Sequence, residues 1–122
     1  MAYRKYRNKR VEYKGIVFDS LKEKRRFCEL ELLQRQGIIT DLRLQVPFEL
    51  IPPIYEEVTV QLKTKTKVVR KLVQRATTYL ADFVYLRDGK VVVEDTKGFK
   101  TKEYEFKKKM MRAFKNIEIR EL

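Results

Sequence analysis

The sequence predicts a single-domain α/β (α+β) protein, with strands gathered around two helices. Three observations carry this reading. The chain has 122 residues and 43% apolar composition, which sets one domain as the expectation and allows a modest core. Two windows, opened by Ser20 and by Thr101, repeat apolar residues at helical spacing. Around them lie short stretches that alternate apolar and polar residues, punctuated by Gly and Pro. No internal repeat or linker divides the chain, so residues 1–122 read as one unit.

Residues 1–10 form a basic arm, with Arg4, Lys5, Arg7, Lys9 and Arg10 set around Tyr3 and Tyr6. Residues 11–18, VEYKGIVF, read as a short hairpin turning at Lys14-Gly15. Ser20 then opens a helix that runs to about Gln36 and stops at Gly37. From Leu42 to Leu50 the chain alternates: Leu42, Leu44, Val46, Phe48 and Leu50 face one way, Arg43, Gln45 and Glu49 the other. That pattern is a half-buried strand, and Pro47 assigns it to a sheet edge or a bulge. Pro52-Pro53 ends it. Residues 56–77 are rich in β-branched and basic residues and read as an extended basic β-hairpin, or a mobile insertion, partly exposed. Strands at 79–86 and 91–97 follow. Thr101 caps a second helix to about Lys115, along which Phe106, Met110, Ala113 and Phe114 make an apolar stripe. The last segment, IEIREL, is a short alternating strand.

The two central strands carry an anomaly. Asp88-Gly89 is a favoured type I′ turn sequence. That register pairs Arg87 with Lys90, Leu86 with Val91 and Val84 with Val93, and sets Asp82 opposite Asp95. Directly opposed Cβ atoms lie about 4.5–5.5 Å apart. Leu80, Asp82, Val84, Val91, Val93, Asp95 and Lys97 then share one face. Two carboxylates on a largely apolar face repel each other. A divalent cation relieves that conflict; so does one raised pKa, or exposure at the sheet end. Lys97 lies about 6.5–7 Å along from Asp95, on the same side, where a plain surface ion pair is the alternative role. Glu23 shares a helical stripe with Phe27, Leu30 and Gln34, so its carboxylate points toward the same interior. It also completes a capping box with Ser20, which is a sufficient structural role in itself. Glu94 alternates to the opposite face with Thr96.

Composition narrows the chemistry. The chain has no histidine and one cysteine, Cys28. Zinc sites, Ser-His-Asp triads and Cys-His dyads are therefore excluded within it. A metal would need oxygen ligands, which points to Mg²⁺, Mn²⁺ or Ca²⁺. The formal net charge of +12 calls for a polyanionic partner, nucleic acid first and an anionic membrane surface second. No segment approaches the roughly 18 apolar residues that span a bilayer, and the N-terminus lacks the apolar core of a secretory signal.

Asp82, then Asp95-Thr96-Lys97, with Glu23 upstream, resemble the PD-(D/E)XK nuclease superfamily. Ala81 stands where the superfamily name has proline. The longer stretches GIVFDSLKEKRRFCELELLQRQGIITDLRLQVPFEL, YLADFVY and VVVEDTKGFKTKEYEFKKKMM are similar to DUF1064, a family of small phage and prophage proteins placed near endonuclease I-type Holliday-junction resolvases. The resemblance implies a restriction-endonuclease-like fold, with an αβββαβ core and a central mixed sheet flanked by helices. It implies a Mg²⁺-dependent endodeoxyribonuclease, with Mn²⁺ able to substitute. Asp82, Asp95, Glu23 and the Thr96 backbone carbonyl would hold the metal, Lys97 would orient water or stabilise charge, and Gln45 would assist. The implied substrate is branched or junction DNA, cut by a homodimer in the cytoplasm of a bacterial host. Arg4, Lys5, Arg7, Lys9, Arg10, Lys63, Lys65, Lys67, Lys100, Lys102, Lys107 and Lys108 are the expected DNA contacts. Two other readings fit the same residues: a nicking or sequence-directed endonuclease in a larger complex, and a basic DNA-binding accessory protein whose acids are structural.

Overall fold

The computed structural model describes residues 9–122. Arg4, Lys5 and Arg7 of the expected arm lie outside the described residues, as do Tyr3 and Tyr6, whereas Lys9 and Arg10 are exposed.

The chain opens with β1 (Val11–Tyr13) and β2 (Ile16–Phe18), an antiparallel hairpin. Lys14 and Gly15 take φ of 52° and 78°, the two positive values that a type I′ turn needs. Helix α1 (Leu21–Arg35) follows. Ser20 Oγ accepts the Glu23 N–H at 3.1 Å, and Gly37, at φ 76°, ends the helix. Its inward face buries Glu23, Phe27 and Leu30. The chain continues through β3 (Thr40–Ile51), β4 (Ile54–Gln61), β5 (Thr66–Gln74), β6 (Thr77–Arg87), β7 (Lys90–Asp95), α2 (Lys102–Lys115) and β8 (Arg120–Glu121).

The architecture is mixed α+β. Four strands form one mixed sheet in the order β3-β6-β7-β8, antiparallel at the first two junctions and parallel at the last. Pro47 sits on the edge strand, where a missing N–H is tolerated. The β4–β5 ribbon is a separate two-stranded sheet inserted between β3 and β6. With the ribbon and the opening hairpin set aside, the order reads helix, three strands, helix, strand.

Two clusters make the core. Phe27 and Leu30 of α1 pack with Phe18, Ile39, Phe83 and Tyr85. Tyr104 and Met111 of α2 pack with Leu50, Tyr79, Ala81, Val84, Val93 and Ile119. Neighbouring β6 residues, Phe83 and Val84, join different clusters, so the two helices cover opposite faces of the sheet.

Four sequence expectations need correction. The stripe of β3 is split: Leu42 and Leu44 pack with the α1 cluster, but Val46 and Phe48 with the α2 cluster. Gln45 between them adopts φ 52°, which turns the strand over. Its neighbour strand resets at the same level. Ala81 and Phe83 join different clusters, so Tyr79 and Ala81 enter the core while Leu80 is exposed, as is Val91. Strand β7 ends at Asp95 rather than at Lys97. Finally, α2 buries Tyr104 and Met111, whereas Phe106 and Phe114 are exposed. Glu121 accounts for this rotation. It accepts from the Tyr104 hydroxyl and from Lys108, which turns that side of α2 toward β8.

Candidate active site

The β6–β7 ladder has the predicted register from Arg87↔Lys90 to Phe83↔Glu94. Asp88 and Gly89 take φ of 53° and 74°, as a type I′ turn requires. The next rung, Asp82 opposite Asp95, is not among the backbone pairs. Side chains take over the backbone donors there. Asp82 Oδ2 accepts the Thr96 N–H at 2.9 Å and the Thr96 hydroxyl at 2.8 Å. Asp95 Oδ1 accepts the Lys97 N–H at 3.0 Å. These carboxylates replace the rung that two continuing strands would have made, which is why β7 stops.

Asp95 is fully buried, at 1% exposure. The Tyr79 hydroxyl donates to its Oδ2 at 2.6 Å. Burial pushes the Asp95 carboxyl above its ordinary range, the Tyr79 hydrogen bond opposes that, and the negative charge of Asp82 adds to it. Lys97 is exposed, with Nζ 5.4 Å from the Tyr104 ring centroid, and its charge favours ionised Asp95. Tyr79 itself is held far above the usual phenol range by burial and by Asp95, so it stays a donor.

Glu23 reaches the same region from α1. Gln45 Nε2 donates to Glu23 Oε1 at 3.2 Å and to Asp82 Oδ1 at 3.3 Å, linking the two acids. The left-handed backbone at Gln45 belongs to the turn-over that brings its amide here. The Glu23 carboxyl is raised to about 7, first by burial, then by the charges of Asp82 and Asp19. Half of the capping box is also present, through Ser20 Oγ.

The structure thus gathers Glu23, Gln45, Asp82, Thr96 and Asp95, with Lys97 at the margin. Among the described residues, no three acids close into a ready-made metal-ligating group. The donor chemistry nevertheless suits a hard divalent cation. The acids offer oxygen donors, and Glu23 and Asp95 are each raised in part by the charge of Asp82, which a bound cation would offset.

The chain matches the family described as "Protein of unknown function (DUF1064)" over residues 3–121. The chain belongs to the DUF1064 family. No curated protein and no solved structure matches it.

Behind this site the DUF1064 chain holds a fourth carboxylate. Glu94 lies on the α1 face, as its alternation predicts, with no exposure. Arg26 grips it with Nε and Nη2, each at 2.7 Å, and the Tyr85 hydroxyl also donates to it. Sequence reasoning missed Arg26, Tyr85 and Tyr79. Arg26 follows Glu23 by three residues, which is the one signal that it borders the inward stripe. Tyr79 gave none, because the reset at Asp82 decides which face it joins.

The lysines expected to contact DNA divide into two groups. Lys100 and Lys108 pair with Glu121 at 2.9 and 2.5 Å, and Lys107 pairs with Glu103 at 2.9 Å. Lys108, with Lys100 and Tyr104, holds Glu121 down at about 2. These α2-side lysines are thus engaged within the DUF1064 fold itself. Lys102, Lys63, Lys65 and Lys67 are exposed. No helix is long and apolar enough to cross a membrane among the described residues.

Proposed function

We propose that this chain is a metal-dependent endodeoxyribonuclease of the PD-(D/E)XK type, selective for branched DNA such as a four-way junction. The observation that carries the reading is the carboxylate constellation at the end of the β6–β7 ladder. Asp82 and Asp95 stand where the two strands part, Glu23 joins Asp82 through Gln45, and Lys97 follows Asp95 by two residues. The element order helix, three strands, helix, strand supports it as well.

Asp82 and Asp95 would hold a Mg²⁺ or Mn²⁺ ion, with Glu23 and the Thr96 carbonyl as further donors. When bound, such an ion supplies Lewis acidity toward the phosphoryl oxygen and lowers the pKa of water. The remaining work falls to the chain. Thr96 orients Asp82 through two hydrogen bonds. The Tyr79 hydrogen bond favours the ionised form of Asp95 and so works against its burial. Glu23, joined to Asp82 through Gln45, is placed to orient the attacking water. Lys97 stabilises negative charge developing on the phosphate. A four-way junction needs two cuts related by symmetry, so the acting unit is a homodimer.

One observation favours a second reading. All four oxygens of Asp82 and Asp95 already accept hydrogen bonds, as structural acids do. A DNA-binding accessory protein with this sheet would bind DNA and cut nothing.

The test is cleavage of an end-labelled four-way junction beside a matched linear duplex, with Mg²⁺ or EDTA, by wild type and Asp82→Ala. Paired nicks near the branch point, abolished by EDTA and by the substitution, are the expected result. Equal cutting of the linear duplex removes the structure selectivity. Binding of both DNAs without cleavage selects the accessory reading.

A further inference from the structure

The β4–β5 ribbon stands apart from both core clusters. From residue 54 to 75 every residue is exposed except Val58 and Val69, which are half-buried. A lone two-stranded ribbon is marginal in water, so it needs a partner. Its charge is unevenly placed. Near the base, Glu56 stands opposite Lys71 and Glu57 opposite Arg70, so each acid meets a cation across the ladder. Between residues 58 and 69 there is no acid, and Lys63, Lys65 and Lys67 carry the charge. Leu62 N–H donates to the Lys65 carbonyl at 2.8 Å, closing the tip and crowding the three lysines around it. They carry no ion pair among the described residues, unlike Lys100, Lys107 and Lys108.

We propose that this ribbon is a DNA-binding arm whose lysine tip enters a groove of duplex DNA and supplies affinity separately from the carboxylate site. The inference rests on the nucleic-acid reading above but not on cleavage. The major groove, about 12 Å wide, admits a two-stranded β-ribbon. Seven paired residues, Tyr55 to Gln61, give it a reach of roughly 20–25 Å. Arg70 stacks on Tyr55, 4.0 Å from the ring centroid, so the base is stiffened while the tip stays free to meet phosphates. A second copy of the chain is the poorer occupant, because two such tips would face each other with like charge.

The experiment is fluorescence anisotropy with a labelled linear duplex in EDTA, over a salt series. It compares wild type with the triple variant Lys63→Gln, Lys65→Gln, Lys67→Gln. A second variant joins Glu57 to Arg70 through Asn-Gly, which shortens the ribbon and retains its paired base. Both variants are expected to bind at least about tenfold more weakly at low salt. The slope of log K against log salt should be shallower by about 2–3, as three lost phosphate contacts dictate. Unchanged affinity and slope in both variants, or no binding by wild type, overturns the arm. So does a loss of binding that accompanies conversion of a dimer to a monomer by light scattering, which makes the ribbon a contact between copies. Wild type that binds as described but never cuts with Mg²⁺ leaves the arm standing and removes the endonuclease. Wild type that cuts, with variants that bind normally, does the reverse.

Discussion

The Tyr79 hydroxyl donates a 2.6 Å hydrogen bond to Oδ2 of Asp95, inside the core. Tyr79→Phe keeps the ring and leaves that buried oxygen without its donor. Unfolding in urea at pH 7 should show a loss of about 1–3 kcal/mol. The hydrogen bond favours the ionised carboxylate, so its removal raises the Asp95 pKa further. The deficit should therefore shrink as pH falls and Asp95 takes up its proton in the variant. A deficit independent of pH would mean that Tyr79 acts by packing alone.

Glu23 sets a pH dependence in the ion-free protein. Its carboxyl moves from an ordinary 4.5 to about 7 on folding. Below pH 4.5 it is protonated in both states. Between 4.5 and 7 the folded protein holds a proton that the unfolded chain has released, so stability falls as pH rises through this window and then levels off. The raised Asp95 acts in the same direction. Glu23→Gln removes the charge and keeps the shape. Its melting midpoint at pH 7.5 should exceed that of wild type, and its stability should change less between pH 5 and 7.5.

Divalent ions should reverse that penalty if the carboxylates hold one. Saturating Mg²⁺ or Mn²⁺ should raise the thermal midpoint of wild type by several degrees. Asp95→Ala should respond hardly at all. Equal shifts in the two proteins would place the ion elsewhere.

The Arg26–Glu94 pair makes a stability prediction independent of any activity. Glu94 is wholly buried, and Arg26 supplies two of its hydrogen bonds. Arg26→Ala strands that charge and should cost about 3–5 kcal/mol in equilibrium unfolding. Arg26→Met with Glu94→Leu removes both charges and should recover much of the loss. A double variant no more stable than the single would show that the site requires polarity there.

Most of the fold was legible because it is written in local rules. Ser20, Gly37, Thr101 and the two turns with paired positive φ each act within a few residues, and each element formed where those signals stood. The β6–β7 register was legible as far as Phe83↔Glu94, since a turn type fixes register, but the Asp82–Asp95 rung expected next is not formed. What failed was the assumption that alternation persists along a strand. Gln45 and Asp82 interrupt it at the same level of adjacent strands, so faces assigned by counting from Leu50 or Val84 came out exchanged beyond that point. The rotation of α2 was hidden for a different reason. Glu121, the residue that orients the helix, arrives from the far end of the chain, and periodicity within α2 carries no trace of it.

Gln45 has a further consequence. A non-glycine residue in the left-handed region costs roughly 1–2 kcal/mol relative to an unstrained one. Gln45→Gly would relieve that cost and let the strand turn over more easily. It would also delete the amide that joins Glu23 to Asp82. Selection for durability and selection for chemistry therefore favour different amino acids at this one position. A library screened for thermal tolerance alone should drift toward glycine there and lose the linked acids on the way.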